Sequence, residues 1–330
     1  MDFRTVIAPL SGMKGLIRHG EPILLVGSCF TDNIGACLFG ELFDVYVNPF
    51  GPLYNPRSIL SAFRVLAGER GVGEEELVER EGMFHSFMFH SRFSGPEREQ
   101  TARRMTGRIR ECAAALRGAS CVIITLGTTR TFSLRDNGEV VANCHKFPAS
   151  MFDAGYMSLD EVADDIRESI DVIRAVNSTA SIIFTVSPLR YSELGAHGNQ
   201  LSKSKLLLGI DRVAGEREGV GYFPAYEVMM DDLRDYRFYA EDMKHPTPQA
   251  VGYIYELFRN SYFDEATMAT AREAAALTRR LSHSVMTSSP EMRDRETEAR
   301  RVATDDLTRR FPELKQACKR YINSLSTNGI

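Results

Sequence analysis

The chain has 330 residues, 43% of them hydrophobic, and a formal net charge of −4 at pH 7. That length buries a full core and leaves room for an appendage, and the interspersed acid and base give no case for nucleic acid or an anionic membrane as partner. No stretch approaches a membrane span, and Met1 to Pro9 lacks the basic flank and apolar run of a signal peptide, so the expected location is cytoplasmic.

In chain order, Ile23-Leu24-Leu25-Val26-Gly27 is an apolar run closed by a glycine, followed by Ser28-Cys29-Phe30-Thr31 and Asp32-Asn33-Ile34-Gly35. This reads as a buried strand turning sharply into a helix. A nucleophile at such a turn is presented at the carboxyl edge of a sheet, beside helix N–H groups that have no intrahelical partner. The simpler reading makes Ser28 or Thr31 a helix cap and Cys29 a small core residue. The six cysteines, Cys29, Cys37, Cys112, Cys121, Cys144 and Cys318, show no CxxC pair or regular spacing, so neither a disulfide framework nor a zinc site is indicated.

A second strand is expected over Leu42–Val47, ending in the rigid Pro/Gly-rich stretch Asn48 to Pro56, where Gly51 permits close backbone approach. A helix from about Ser58 to Leu66 follows. Between Gly71 and Gly95, the alternation around Phe84 to Ser91 suggests an extended segment or hairpin. His85 and His90 would lie on opposite faces of a strand there, a poor arrangement for a metal. Met105, Ile109, Cys112 and Leu116 mark a helix over Arg98–Leu116, leading to a third strand, Cys121–Leu126, and its edge Gly127-Thr128-Thr129-Arg130. Arg135 to Glu139 reads as a hairpin turn, its Asn137-Gly138 suited to type I′ geometry. Asn143-Cys144-His145-Lys146 then gathers four reactive or polar side chains. A helix over Leu159–Val176 precedes a fourth strand, Ser181–Val186, and the edge Ser187-Pro188-Leu189-Arg190. Ser202 and Lys205, near an expected helix start, have the Ser-x-x-Lys spacing of a hydroxyl–amine dyad without its companion motifs, so a capped helix with solvated lysines is the expectation. A fifth strand is placed at Gly221–Pro224, followed by Ala225-Tyr226-Glu227 and a short helix through Arg234.

The second anchor is Asp242-Met243-Lys244-His245-Pro246-Thr247-Pro248. Thr247 is a cap and Pro248 a first helical residue, so a helix should run from Pro248 to about Tyr262. His245 would stand in a Pro-bounded loop just ahead of that helix, with Asp242 reaching back to fix its tautomer.

Taken together, these blocks resemble the SGNH hydrolases. Ile23 to Thr31 lies without a gap on their first block, Gly51 suits the second, Val122 to Arg130 lies on the third, and Asp242 to His245 matches the Asp-x-x-His of the fifth. Gly27-Ser28-Cys29-Phe30, Asn143 to Lys146, Ser187 to Arg190, the stretch ending at Glu227, and Asp242 to Pro246 are similar, more narrowly, to the GSCFA-domain family, a branch of that superfamily. The resemblance covers roughly residues 6–263. It implies a flavodoxin-like α/β/α three-layer sandwich with a mostly parallel five-stranded sheet, and acyl-ester chemistry needing no cofactor or metal. In the gapless register the nucleophile falls on Cys29, and a one-residue shift makes it Ser28. Asp242 and His245 complete the site. Gly51 and Thr129, the latter standing where relatives carry asparagine, would serve the oxyanion, and a helix terminus and His245 together would favour the Cys29 thiolate. Asn143, His145, Lys146 and Arg190 are expected at the pocket, which implies a small polar or glycan-like acylated substrate.

Beyond residue 263 the composition turns Ala/Arg/Glu-rich. Helices are expected over Glu265–Leu281 and Glu291–Arg310, separated by Ser288-Ser289-Pro290, with a last helix to Ile322 after Pro312. Residues 264–330 are therefore expected to form a helical extension to an SGNH-like unit of residues 1–263, laid on that unit or on a second copy in a homo-oligomer. Three functions fit the pattern: a Cys/Ser-His-Asp acyl-ester hydrolase or acyltransferase, a non-catalytic binding module that keeps the pocket, and a phosphate or nucleotide site. The last lacks the glycine-rich loop it needs after the first strand.

Overall fold

The computed structural model describes residues 5–283 and 289–327, so Ser288 of the expected separator and the first four residues of Met1–Pro9 lie outside it. In chain order the elements are β1 (Ile23–Gly27), α1 (Cys29–Gly40), β2 (Val45–Val47), α2 (Pro56–Ala67), β3 (Val78–Arg80), β4 (Met83–His85), α3 (Arg98–Gly118), β5 (Cys121–Leu126), β6 (Arg130–Leu134), β7 (Val140–Val141) and β8 (Phe152–Tyr156). There follow α4 (Leu159–Val176), β9 (Ser181–Val186), α5 (Gly195–Ala214), β10 (Val220–Phe223), the single turn α6 (Ala225–Glu227), α7 (Pro248–Tyr262), α8 (Glu265–Ser282), α9 (Pro290–Arg310) and α10 (Lys315–Thr327).

Five strands form one sheet in the order β10-β9-β5-β1-β2, and every neighbouring pair is parallel. Alternation along β1 explains the two layers of helices. Leu24 and Val26 join Val122, Ile124, Ile182 and Phe184 beneath α2, α3, α4 and α5. Ile23 and Leu25, pointing the other way, join Ile123, Ile183 and Phe223 beneath α1 and α7. The result is a three-layer α/β/α sandwich. The strand order reverses at β1 and β5, so the crevice beyond their carboxyl ends is the natural ligand position.

Local chemistry sets the helix ends. Asn55 caps α2 by accepting from Ser58 N–H at 2.8 Å, with Pro56 at the first position. Ser158 and Glu161 form a reciprocal capping box on α4, and Thr247 with Pro248 opens α7. The expected type I′ turn is different: among residues 135–139 only Gly138 takes a positive φ, and Asn137 accepts from Glu139 N–H at 2.9 Å instead. Type I′ geometry needs both central residues at positive φ, so this five-residue connection is an Asx-stabilised loop.

The C-terminal helices pack on their own chain, at the β2 edge of the sheet. Leu277, Leu281, Leu307 and Leu314 bury Leu42. Thr278 Oγ1 donates to Gly40 O at 2.6 Å. Arg320 pairs with Asp44, donates to Val45 O at 2.9 Å and lies 4.2 Å over the Tyr46 ring. Among the described residues no helix is long and apolar enough to cross a membrane.

Candidate active site

Strand β1 ends on Gly27, whose φ of +150° and whose distance of only 2.3 Å between a hypothetical Cβ and Thr125 O exclude a side chain. The chain then turns directly into α1, with Ser28 as its N-cap residue and Cys29 as its first helical residue. The two candidate nucleophiles differ sharply. Ser28 is fully buried, makes no capping bond, and its Oγ has no hydrogen-bond partner. Cys29 is partly exposed, and the N–H groups of Cys29 and Phe30 approach its sulfur. The thiol nevertheless departs from expectation. Burial pushes it up, Asp32 one turn along adds to this, and the two N–H groups and Lys203 only partly oppose them. Desolvation therefore outweighs the helix terminus, and the thiol stands above its ordinary value where the sequence led to the expectation of a lowered one.

Asn48, immediately after β2, ties the floor of the crevice together. It is fully buried at φ +44°, accepts from Gly27 N–H at 2.9 Å, and donates to Ser28 O at 3.5 Å and Asp32 Oδ1 at 2.9 Å. The loop beyond it is sewn to its neighbours: Leu53 N–H donates to Gly27 O at 2.8 Å, and Gly127 and Thr128 N–H donate to Tyr54 O at 2.7 and 2.9 Å. Tyr54 itself is 37% exposed, and burial, with the nearby Cys29, Asp32 and Tyr191, pushes its phenol up to about 12.

Helix α7 runs antiparallel to the strands, because Tyr262 O at its end accepts from Gly15 and Ile17 N–H upstream of β1. Its N-terminus, and the loop carrying Asp242 and His245, thus lie at the carboxyl edge of the sheet. There Asp242 accepts from Lys244 and His245 N–H at 2.9 and 3.0 Å and holds His245 Nδ1 at 2.5 Å. Met243 at φ +57° closes this turn. The bond to the imidazole, then the two N–H groups, hold the Asp242 carboxyl well below the usual carboxylate range. Both side chains are nearly half exposed, at 46% and 47%. The structure brings Asp242 and His245 together; among the described residues, no hydrogen bond joins His245 to Ser28 or Cys29.

The remaining expected residues are placed less favourably. Gly51 N–H donates to Asn48 O at 2.9 Å within its own turn, so it is not presented to a ligand. Thr129 is buried, with its N–H and Oγ1 both directed to Ser202 Oγ, at 2.8 and 3.2 Å. His145 does not face the crevice: its ring contacts Ser91 Oγ at 3.1 Å through Nδ1 and Ser86 O at 2.8 Å through Nε2. It therefore packs the β4 side loop against the stretch after β7. Asn143 belongs to that same turn, accepting from His145 N–H at 2.8 Å, and Lys146 is exposed. Arg190, also exposed, sits beside the Tyr239 hydroxyl, in contact with the loop that carries His245. Ser202 and Lys205 lie in the middle of α5 and form no dyad, since Lys205 Nζ donates to Met157 O at 2.9 Å.

Two polar residues of this region were not singled out from sequence. One is Asn48, whose only sequence signal is a polar residue next to proline at a strand end. The other is Lys203, expected as solvated but only 1% exposed, with Nζ donating to Gly127 O at 2.8 Å and Ser187 O at 2.9 Å. Its signal was present in the pattern: Asn199, Ser202, Lys203, Leu206, Ile210 and Val213 form the buried stripe of α5, at helical spacing.

No curated protein matches this chain. Among solved structures it is similar to an acetyl xylan esterase, Est2A, from the rumen bacterium Butyrivibrio proteoclasticus, with 11% identity and a TM-score of 0.35 over 73% of this chain and 64% of that one. The chain thus spans under two thirds of that esterase's length. It is also similar to a family 3 carbohydrate esterase of Clostridium thermocellum, with 14% identity and a TM-score of 0.32 over 77% of this chain and 98% of that one. The GSCFA family model matches residues 22–258, from the residue before β1 into α7, and the chain belongs to the GSCFA family.

Proposed function

We propose that this chain is an acyl-ester hydrolase or acyltransferase that uses Cys29 as nucleophile and the Asp242–His245 pair as its base, acting on a small polar or glycan-like acylated substrate. The observation that carries the choice of nucleophile is the contrast at the start of α1: Cys29 is reachable, and the Ser28 hydroxyl is sealed in the interior. The turn bearing His245 is exposed, and catalytic hydrogen bonds commonly tighten only when substrate is bound. With substrate in place, His245 Nε2 takes the proton from Sγ, and the sulfur attacks the acyl carbon. The tetrahedral oxyanion is met by the first-turn N–H of Cys29, since Gly51 N–H is committed elsewhere. Collapse expels the alcohol, which takes the proton back from His245, and leaves a thioester. Water, an alcohol or an amine then attacks the thioester, again giving its proton to His245, and Sγ leaves.

A second reading is favoured by the engagement of Gly51 N–H and of the Thr129 hydroxyl: a binding module that retains the pocket without an adequate oxyanion hole. Turnover of p-nitrophenyl acetate by the wild type and by His245→Ala separates the two. Loss of about a hundredfold or more in the variant supports catalysis. Equal rates remove His245 from the mechanism and leave the binding module.

A further inference from the structure

Arg92 and Asp32 stand side by side on the β2 wall of the crevice, and Asn48 holds both. Asn48 Nδ2 donates to Asp32 Oδ1 at 2.9 Å, and Arg92 Nη2 donates to Asn48 O at 3.0 Å. The guanidinium lies 5.4 Å from the centre of the Phe93 ring, and Phe93, Phe89 and Phe50 pack in series with centroids 5.2 and 4.8 Å apart. His90 ties the same segment down: its N–H donates to Phe50 O at 2.7 Å, and its Nδ1 accepts from Arg92 N–H at 3.2 Å. The fork is thus fixed in place although its side chain is 44% exposed. It approaches Asp32, itself 37% exposed, only to 4.0 Å, too far for a direct hydrogen bond. Among the described residues Asn48 O is the one hydrogen-bond acceptor of this guanidinium, and Asp32 Oδ2 accepts from no group. Several donors and one carboxylate oxygen therefore stand open beside each other, and an exposed ion pair at this separation adds little to stability.

The position of this pair relative to Cys29 follows from the helix. Asp32 is three residues beyond Cys29 on α1, so the two side chains share one face of the first turn, with Cβ atoms about 5–6 Å apart. That spacing suits hydroxyls a few bonds away from an ester whose acyl carbon is at Sγ. The array carries no net charge: a phosphate or carboxylate there would meet Asp32, and an ammonium would meet Arg92. A hydroxyl both donates and accepts, and so satisfies either group.

We propose that Arg92 and Asp32 are specificity-determining residues that hold a neutral vicinal diol on the alcohol side of the ester, one hydroxyl accepting from the Arg92 fork and its neighbour donating to Asp32 Oδ2. The proposal rests on the reading of Cys29 as nucleophile and adds to it a selection of neutral polyol esters over esters of charged alcohols.

The test compares kcat/KM of the full chain for monoacetin, glycerol acetylated on an end carbon, with that for propyl acetate, which has the same carbon chain and no diol. The wild type should favour monoacetin by about tenfold or more, and Arg92→Met and Asp32→Asn should each bring the ratio close to one. Both esters meet the same thiol, so the ratio cancels any change that Asp32→Asn makes in the reactivity of Cys29. Arg92→Lys, which keeps the charge and loses the fork, should recover only part of the preference. A wild-type ratio near one, or a ratio unmoved in either folded variant, overturns the proposal. A second arm needs no turnover: saturation-transfer NMR with methyl β-xylopyranoside on Cys29→Ala should show transfer to the ring protons that is lost when Arg92→Met is added. Such transfer in a chain whose wild type turns over neither ester supports the diol site and removes the enzymatic reading. Turnover with an unmoved ratio keeps the enzyme and overturns the diol site, and the absence of both turnover and transfer overturns both.

Discussion

Asn48→Ala removes the group on which the Ser28–Cys29 turn is hung, and its consequence can be worked bond by bond. Gly27 N–H loses its acceptor in a position without solvent access, which costs about 1–3 kcal/mol. The bond to Asp32 is charge-assisted, but that carboxylate is 37% exposed and water recovers most of the loss, leaving about 0.5–1 kcal/mol. Alanine at φ +44° adds about 1 kcal/mol relative to asparagine, which tolerates the left-handed region. The sum is roughly 2.5–5 kcal/mol, large against the 5–15 kcal/mol typical of a whole domain. Urea unfolding monitored by circular dichroism reads it. Asn48→Gly separates the contributions, since it relieves the backbone and still loses the hydrogen bonds, and should recover only about 1 kcal/mol. Asn48→Asp keeps an acceptor for Gly27 but sets a second carboxylate beside Asp32, and should fall between wild type and Asn48→Ala. An Asn48→Ala protein within about 1 kcal/mol of wild type would refute this reasoning, because no orphaned buried N–H is compatible with so small a loss.

Gly51→Ala should destabilise strongly, since its Cβ would stand 2.2 Å from His90 Cβ at a backbone φ of +87°; a variant that unfolds at the wild-type urea midpoint contradicts the placement of the β4 loop on the crevice wall. Burial, the largest cause, lowers the pKa of His145 from 6.5, so its contribution to stability is fully present above about pH 6.5 and is lost as pH falls through the lower folded value. His145→Gln should flatten the decline in stability between pH 7 and 5, where His19 and His90, lowered for the same reason, leave a residual slope; an unchanged slope refutes the assignment.

The sheet was legible because its strands are apolar runs that end in small or polar residues, and β5, β9, α4 and α7 begin and end where the pattern places them. Strand β2 is shorter than its apolar run: Leu42 turns aside at φ +59° to meet the C-terminal helices, a tertiary contact no local period encodes. The Asp242–His245 turn was readable because the contact is local, three residues apart and bounded by proline. Long-range commitments were not. Whether Gly51 N–H is available depends on how one turn closes, whether Thr129 is available depends on a serine 73 residues away, and His145 is claimed by residues over 50 positions upstream. Lys203 was missed for the opposite reason: its periodic position on the buried face of α5 was visible, but its charge argued for solvent.

If Cys29 is the nucleophile, it carries the acyl group between the two half-reactions. Incubation of the full chain with p-nitrophenyl acetate, followed by rapid acid quench and intact-mass and peptide analysis, reads it directly. The expected result is an added acetyl group on the peptide that contains Cys29, labile to hydroxylamine as a thioester is, absent from Cys29→Ala and retained in Ser28→Ala. An acetyl group that persists in Cys29→Ala and disappears in Ser28→Ala would contradict it.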